Sequence, residues 1–448
     1  MTDDGGPDAD PLPPDPSDST SPETGLPDSD PLAFLATHPD LPVDLAMELL
    51  SFDTQNPPGA TADLVDWVAQ EFHDLGLATE RVTVDPAKPN LLATLAGETD
   101  RVLCFDGHLD TVPYDADEWA ADPLGDRDGN RIYGRGATDM KGAVAAMLAT
   151  ARAYVATDTT PPVTLLFALV SDEETGGDAG LPAVLEGDHL AAQVDADLRP
   201  ADACLIGEPT CEQGRHSVTV ADRGSIWLTL SAEGEAAHGS RPMLGANAID
   251  RLYGAVETLR ERFGERRLDS DADVGPIVEE SVEYYEPIMG ADVARRLFEY
   301  PTINLGTFEG GDAINSVPQS ATAEIDIRLT ASVETPDLLA EVRACVDDCE
   351  GITVADVSWS VGSAVAIDAP VVDATVAVAH AATGERIYRR SATGGGDAKD
   401  LRHAGISTVE FALATDTAHA VDEYTTTDIL RANARIYAAL PEAFAERV

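Results

Sequence analysis

Val163 to Val170 is a run of eight residues, each apolar or threonine. A run of that length without polar alternation reads as a strand buried on both faces, as in a parallel sheet covered by helices. It runs into Ser171-Asp172-Glu173-Glu174-Thr175-Gly176-Gly177, and Arg101–Asp106, Asp202–Ile206 and Ile406–Leu413 read as three further buried strands. Helical spacing marks Val43–Leu50, Thr61–Leu75 before Gly76, and Met140–Val155, with Asp139 placed to be the N-cap of the last. Within residues 221–362 the texture becomes strand (Ser225–Ala232), helix (Ala246–Phe263), two strands (Thr302–Phe308 and Ser320–Leu329), helix (Pro336–Cys349) and strand (Ile352–Val361). That βαββαβ order is the order of a ferredoxin-like unit. The expected fold class is α/β: a mostly parallel sheet covered by helices, built from residues 31–220 and 363–448, with the α+β unit inserted at 221–362. Residues 264–300 are expected to elaborate the helical face of the insert, and residues 1–30, rich in Asp, Pro, Ser and Thr, to form a disordered acidic tail.

Charge narrows the partners. The chain carries 81 acidic against 29 basic residues, a net charge of -52, and its lysines are Lys88, Lys141 and Lys399 alone. Phosphate and anionic membrane surfaces require clustered cations, so neither nucleic acid nor membrane is an expected partner. An acidic excess spread over the whole length suits concentrated salt, where self-repulsion is screened within a few ångströms. The opening Met1-Thr2-Asp3-Asp4 has no basic or apolar targeting region, and no apolar run approaches the ~18 residues of a membrane span. A halophilic, cytoplasmic protein is expected. Five cysteines (Cys104, Cys204, Cys211, Cys345, Cys349) form no disulfide framework.

The ends of the buried strands carry the chemistry. The first runs into Gly107-His108-Leu109-Asp110, another into Gly207-Glu208-Pro209, and the last is followed by a loop containing His419. Each group has a bland reading: a hydrogen-bonded histidine, a helix cap at Asp139, a solvated acidic turn at Glu173-Glu174. Independent turns do not place His or Glu beyond every buried strand, however, and ligands in open α/β sheets bind beyond the strands' carboxyl ends. Two histidines with several carboxylates and no thiolate suit Zn²⁺, Co²⁺ or Mn²⁺. Three carboxylate ligands and one hydroxide balance two divalent ions, a centre suited to hydrolysis, and a further carboxylate is left to carry the proton.

Gly107-His108-Leu109-Asp110, Gly134-Arg135-Gly136-Ala137-Thr138-Asp139-Met140-Lys141-Gly142, Asp172-Glu173-Glu174 and Gly207-Glu208-Pro209, in this order, resemble the motifs of the M20 metallopeptidase/deacylase family. That family includes acetylornithine deacetylase, succinyl-diaminopimelate desuccinylase, aminoacylase-1 and carboxypeptidase G-like enzymes, and the resemblance covers about residues 40–445. It implies His108 and Glu208 as terminal ligands of one metal, Glu174 and His419 of the other, and Asp139 as the bridge. It further implies Asp110 as the partner orienting His108, and Glu173 as the general base. The insert then corresponds to a lid through which the family dimerises. There His238, in Ala236-Ala237-His238-Gly239-Ser240-Arg241-Pro242, and Asn315 would reach the reacting oxygen, often across a dimer. Arg223, Ser225 and Arg328 match positions that hold a substrate carboxylate, and Gly395 belongs to a glycine-rich substrate loop, Thr393–Asp397, in which Gly396 replaces a common hydroxyl residue. His38, His73, His189, His216, His380 and His403 have no ligand-like context.

The function implied is a two-metal amidohydrolase acting on a small N-acyl amino acid, zinc being the first choice of metal, in a homodimer. Acetylornithine deacetylase or succinyl-diaminopimelate desuccinylase activity leads. The alternatives are a dipeptidase or carboxypeptidase of the same family and a non-catalytic metal-dependent binding protein. The charge alone generates one expectation: raising sodium chloride from about 0.1 M to about 1 M shortens the screening length from about 10 Å to about 3 Å. Calorimetry is expected to show the thermal midpoint rising over that range, and a fall would remove the salt argument.

Overall fold

In a computed structural model, residues 25–26, 29–187, 189–194 and 197–448 are described. Helices α1 (Asp30–Thr37), α2 (Leu41–Leu50) and α3 (Ala62–Asp74) precede strands β1 (Ala78–Val82), β2 (Asn90–Leu95) and β3 (Val102–His108). Short strands β4 (Asp126–Asp128) and β5 (Arg131–Tyr133) lead to helix α4 (Lys141–Ala156), strand β6 (Thr164–Val170) and helix α5 (Leu181–Glu186). Next come β7 (Ala191–Val194), β8 (Asp197–Pro200), β9 (Ala203–Pro209) and β10 (His216–Asp222). The insert contains β11 (Gly224–Glu233), α6 (Ala248–Leu259), α7 (Gly275–Met289), α8 (Ala291–Glu299), β12 (Thr302–Gly310), β13 (Ser320–Leu329), α9 (Thr335–Asp347) and β14 (Ile352–Ser360). The chain closes with β15 (Ser363–Ala364), α10 (Pro370–Thr383), β16 (Ile387–Ser391), α11 (Asp397–His403), β17 (Ser407–Ala412), β18 (Tyr424–Thr426) and α12 (Thr427–Ala445).

The large sheet runs β1-β2-β6-β3-β9-β17-β10-β15, with β16 also on β10. Its centre is parallel: β3 pairs with both β6 and β9, and β9 with β17. Its flanks at β1-β2-β6 and β17-β10-β15 are antiparallel. Both β3 and β6 are buried at every residue, as the uninterrupted apolar runs require. The helical layer over this centre is anchored by α4, which packs on β3, β9, α2 and α12. Its sequence, KGAVAAMLATARAYVA, is small and apolar on nearly all sides, the composition of a helix enclosed by neighbours. Two glycines let α4 lie close to the sheet. A Cβ on Gly107 would come within 2.8 Å of the Met140 methyl, and one on Gly207 within 2.7 Å of the Ala143 Cβ. Each glycine immediately precedes a site residue, His108 or Glu208.

The insert's sheet is antiparallel in the order β12-β13-β11-β14, the ferredoxin-like arrangement. Along β11 and β13 burial alternates, so one face is apolar. Helices α6 and α9 cover it, giving a core separate from the main one and containing Ile226, Leu228, Leu252, Val256, Ile325 and Val342.

Four expectations need correction. Helices α7 and α8, within 264–300, are not on the insert's helical face. Instead α7 packs along β16, with the Ser281 hydroxyl accepting from the Ser391 N–H at 2.9 Å and Glu280 from the Arg389 N–H at 2.8 Å. An edge strand presents unpaired N–H groups, and these side chains satisfy them while Tyr284, Tyr285 and Phe298 form a small satellite core. Second, Asp139 is not the N-cap of α4, because Met140 holds that position and Asp139 faces the site. Third, of the expected tail, residues 1–24 lie outside the described residues, whereas Gly25 donates to the Ala381 carbonyl at 3.1 Å and Leu26 packs on the core. Fourth, α1 begins at Asp30 and buries Leu32 and Leu35, an element the sequence pattern did not suggest.

Because the insert has its own core, a cavity there should be felt locally. Leu252→Ala is expected to cost about 2–5 kcal/mol in denaturant unfolding while leaving divalent-ion affinity at the other core unchanged.

Candidate metal centre and active site

Four neighbouring strands, β6, β3, β9 and β17, bring their carboxyl ends to one edge. There Asp139 stands between two imidazoles. Its Oδ1 is 3.2 Å from His108 Nε2 and its Oδ2 is 3.1 Å from His419 Nε2. On the first side Glu208 Oε1 lies 3.5 Å from His108 Nε2, and on the second Glu174 Oε2 lies 3.4 Å from His419 Nε2. His108, Asp139 and Glu174 each offer a ligand atom within 4.8 Å of the others. The arrangement is two half-sites, each with one imidazole and one glutamate, sharing one aspartate.

The electrostatics fit a cationic occupant. Burial, reinforced by Asp139, pushes the Glu208 carboxyl well above its usual range. Burial also raises Glu173, against the opposing pull of His108 and with added repulsion from Glu174. Burial works against a charged His108, yet hydrogen bonds to Asp139 and Glu208 lift it well above the ordinary histidine range. The hydrogen bond to Asp139, followed by that to Glu174, lifts His419 to about 10. Carboxylates crowded out of water around imidazole nitrogens form a donor set that two divalent ions would neutralise.

Buried braces set the donors. His108 Nδ1 lies 2.9 Å from the Asp110 backbone oxygen, so Nε2 is the nitrogen turned to the site. Asp110 thus meets His108 through its backbone oxygen, while its carboxylate stands farther off, 3.8 Å from Nδ1. That carboxylate accepts instead from Asn56 at 2.8 Å and from the N–H groups of Glu173 and Glu174 at 3.2 Å each. Asp172, with φ 66, joins the same knot by accepting from Asn56 and Thr175, both at 3.0 Å, and by pairing with Lys88. Val112 N–H donates to Glu174 Oε1 at 3.1 Å, leaving Oε2 toward His419. Glu173, its neighbour, faces open space, and a Cβ on Gly396 would approach its Oε1 to 3.2 Å. The glycine that departs from the family loop is thus the residue beside this carboxylate.

Glu423 is a site residue the sequence reading missed. Fully buried, it accepts from the N–H groups of Thr138 and Asp139 at 2.8 and 3.0 Å and pairs with Arg135 at 2.7 Å. The available signal was an acid four residues beyond His419 in a chain with one arginine inside Gly134-Arg135-Gly136.

Two cavities meet at Glu173 and Glu174. One, of about 370 Å³, extends from Asp139, Glu208 and His419 to Arg390 and Glu410. The other, of about 490 Å³, extends to Trp227 and Lys399, and Gly395 lines both. Arg223, Ser225 and Arg328 line neither cavity. Arg223 is buried and donates to the Arg328 carbonyl at 2.9 Å, while Arg328 binds Asp326 at 2.8 Å and faces the Trp227 ring at 5.8 Å. Ser225 and Lys399 both bond the Ser360 hydroxyl, at 2.9 and 3.1 Å. These groups therefore gather behind the second cavity. His238 is exposed on the insert, bonded to the Ser240 hydroxyl at 2.8 Å, and the Asn315 carbonyl accepts from Gly239 at 2.7 Å. Neither His238 nor Asn315 lines either of these two cavities.

Residues 104–443 match the family described as Peptidase family M20/M25/M40. Succinyl-diaminopimelate desuccinylase of Methylocella silvestris is 30% identical over 416 residues, covering 90% of this chain and 97% of that protein. Acetylornithine deacetylase of Shigella sonnei is 33% identical over 286 residues, covering 62% and 64%. Among solved structures, an M20 family metallo-carboxypeptidase from Sulfolobus solfataricus matches with TM-score 0.74 at 18% identity, over 90% of this chain and 99% of that one. A dinuclear metal-binding M20 peptidase from Bacillus subtilis matches with TM-score 0.62 at 14% identity, over 93% and 99%. At these identities the two structures speak for the fold.

The Glu423 clamp has a measurable consequence. Glu423→Gln removes the charge that holds Arg135 and the Thr138-Asp139 turn, and divalent-ion affinity is expected to fall about 10–100-fold in calorimetric titration of a still folded protein. Unchanged affinity would show that the turn is held without it.

Proposed function

The chain belongs to peptidase family M20/M25/M40, and we propose that it hydrolyses the amide bond of an N-acyl amino acid, releasing a carboxylate and a free amine. Desuccinylation of succinyl-diaminopimelate is the leading reaction, supported by relatives of that name aligned over nearly their whole length. Deacetylation of acetylornithine comes next. One observation carries the mechanism: Asp139 offers one oxygen to each imidazole, and each imidazole has its own glutamate.

In this reading His108 and Glu208 would hold one divalent ion and His419 and Glu174 the other, with Asp139 available to both. Zinc is the first choice and cobalt or manganese the alternatives. When bound, such a pair polarises the substrate carbonyl and lowers the pKa of water. The chain's own groups do the rest. Asp110 and Asn56 fix the Glu173-Glu174 backbone so that Glu174 turns to the ions and Glu173 to the cavity. Glu173 takes the proton from the attacking water and delivers it to the leaving amine. Arg223 and Arg328, with Lys399 nearby, supply cationic character for a substrate carboxylate. His238 and Asn315 sit beyond both cavities, which suits delivery from the insert of a second copy in a homodimer. Among the described residues no helix is long and apolar enough to cross a membrane. A protein at work inside a salt-rich cell fits that and the net charge of -52.

A dipeptidase or carboxypeptidase is the second reading, favoured by structural neighbours bearing those names. Chelation is expected to abolish turnover of succinyl-diaminopimelate, and zinc, cobalt or manganese to restore it. Glu173→Gln should lower kcat on the order of 10²–10⁴-fold with two ions per chain retained by elemental analysis. Turnover surviving in that variant defeats the proton-transfer role, and dipeptides outrunning acyl amino acids would move the assignment to the second reading.

A further inference from the structure

Nothing in the proposed mechanism uses Arg390 or Glu410, two charged side chains at the inner end of the first cavity. Thr219 of β10 pairs in register with Arg390 of β16 on one side and Glu410 of β17 on the other. Residues in register on adjacent strands share a face, and strand spacing places the outer two roughly 10 Å apart at the backbone. All three line the same cavity.

Both charges are only 7% exposed, and among the described residues neither forms an ion pair. The Arg390 guanidinium is held by neutral acceptors: the Ser217 hydroxyl at 2.8 Å and the carbonyls of Thr210 at 3.2 Å and Ser391 at 3.3 Å. The rings of Tyr284 and Tyr285 flank it at 5.1 and 5.6 Å. Arg402, a possible partner for Glu410, is committed to Asp222 at 2.6 Å. Burial therefore pushes the Glu410 carboxyl up to about 7, Asp222 adding repulsion while Arg402 and Arg390 pull the other way. A buried cation and a buried anion held apart across a cavity are costly, and the cost is relieved by a ligand bearing the opposite pair.

We propose that Arg390, Thr219 and Glu410 form a subsite for a free amino-acid head, Arg390 taking its carboxylate and Glu410, with the Thr219 hydroxyl, its ammonium. The proposal rests on the amide-hydrolase reading and sharpens it. The substrate is an acylated diamino acid whose far end carries an unmodified ammonium and carboxylate on one carbon, so that hydrolysis occurs at the metal-side amine while the far head is gripped.

The test uses zinc-loaded enzyme and two substrates, N-succinyl-L,L-diaminopimelate and N-succinyl-2-aminopimelate, which lacks the far ammonium. Wild type is expected to favour the first by about 10–100-fold in kcat/KM, the span of one charge-assisted hydrogen bond. In Glu410→Gln that preference should shrink to about threefold or less, most of the change lying in KM. Arg390→Met should weaken both substrates, and Arg390→Lys should restore part of the loss. A structural role makes a different prediction. The raised carboxyl binds a proton more tightly folded than unfolded, so stability is lost as pH rises from 4.5 through about 7. Glu410→Gln is expected to melt higher than wild type at pH 8, whereas loss of a merely structural residue would lower the midpoint. Equal wild-type rates on the two substrates, or an unchanged preference in Glu410→Gln, would overturn the subsite. If neither substrate is turned over, the desuccinylase reading fails and the subsite is still decided by calorimetry. Free L,L-diaminopimelate should bind the zinc-loaded wild type at least about tenfold tighter than zinc-loaded Glu410→Gln, and equal binding rejects it.

Discussion

One carboxylate shared by two imidazoles sets the demands that the rest of the molecule meets. For Asp139 to present an oxygen to His108 at 3.2 Å and another to His419 at 3.1 Å, residues more than 300 positions apart must arrive at one point. The parallel centre of the sheet delivers three of the contributing segments as neighbours, and β17 adds the His419 loop. Asp139 itself comes from the turn that opens α4, so α4 must lie tight against β3 and β9. Glycine at 107 and 207 permits that approach, because any larger residue would meet Met140 or Ala143. The pairing of a glycine with the following His108 or Glu208 is therefore a packing requirement as much as a chemical one. Glu423 closes the arrangement by tying the Asp139 turn to the segment beyond His419.

A net charge of -52 makes cations scarce, and their placement is informative. All three lysines are drawn inward. Lys88 pairs with Asp172 in the knot under Glu173. Lys399 bonds Ser360 beside the second cavity. Lys141, fully buried, donates to the Phe52 carbonyl at 2.8 Å, and burial lowers its pKa to about 7. Every basic residue elsewhere is arginine, whose weakly hydrated guanidinium keeps ion pairs with the abundant surface carboxylates. Lysine survives only where a point donor serves the interior around the site.

Much of this was legible in the chain because it is local. Unbroken apolar runs mark doubly covered strands, and the acids and histidines lie within a few residues of their ends, so strand adjacency alone assembles them. The insert was legible because its alternating strands and its helices follow one another along the chain in the βαββαβ order, although the sheet itself is ordered differently. What escaped depends on distant partners. Asp139 was implied as the bridge by the family motifs, but that it is not also the cap of α4 is decided by His419 and Glu423, far along the chain. The packing of α7 on β16 is decided by N–H groups of an edge strand about 110 residues away. Asp110 was assigned to the imidazole it follows, yet its carboxylate serves the backbone of Glu173 and Glu174, and only its carbonyl serves His108. Sequence spacing identified the residue and could not tell which of its oxygens does which task.

The two adjacent glutamates show how little separates a ligand from a base. The pair sits in a turn, with the Gly176 N–H donating to the Glu173 carbonyl at 2.7 Å, and the direction of the side chains alone does not keep Glu173 off a metal ion. Asp110 accepts from both N–H groups and so fixes the pair as a unit, while Val112 claims the second oxygen of Glu174 and leaves Glu173 with none of the fixed donors. Gly396 leaves room beside the free carboxylate. Glu173 thus stands at the junction of two cavities, one ending in Arg390 and Glu410 and the other reaching Lys399. In the proposed reading an extended substrate with charge at both ends occupies both cavities with its amide beside Glu173. On the proposed reading the distant charges and the proton carrier are parts of one selection: the ends decide which molecule lies across the site, and the fixed carboxylate decides which bond of it meets the water.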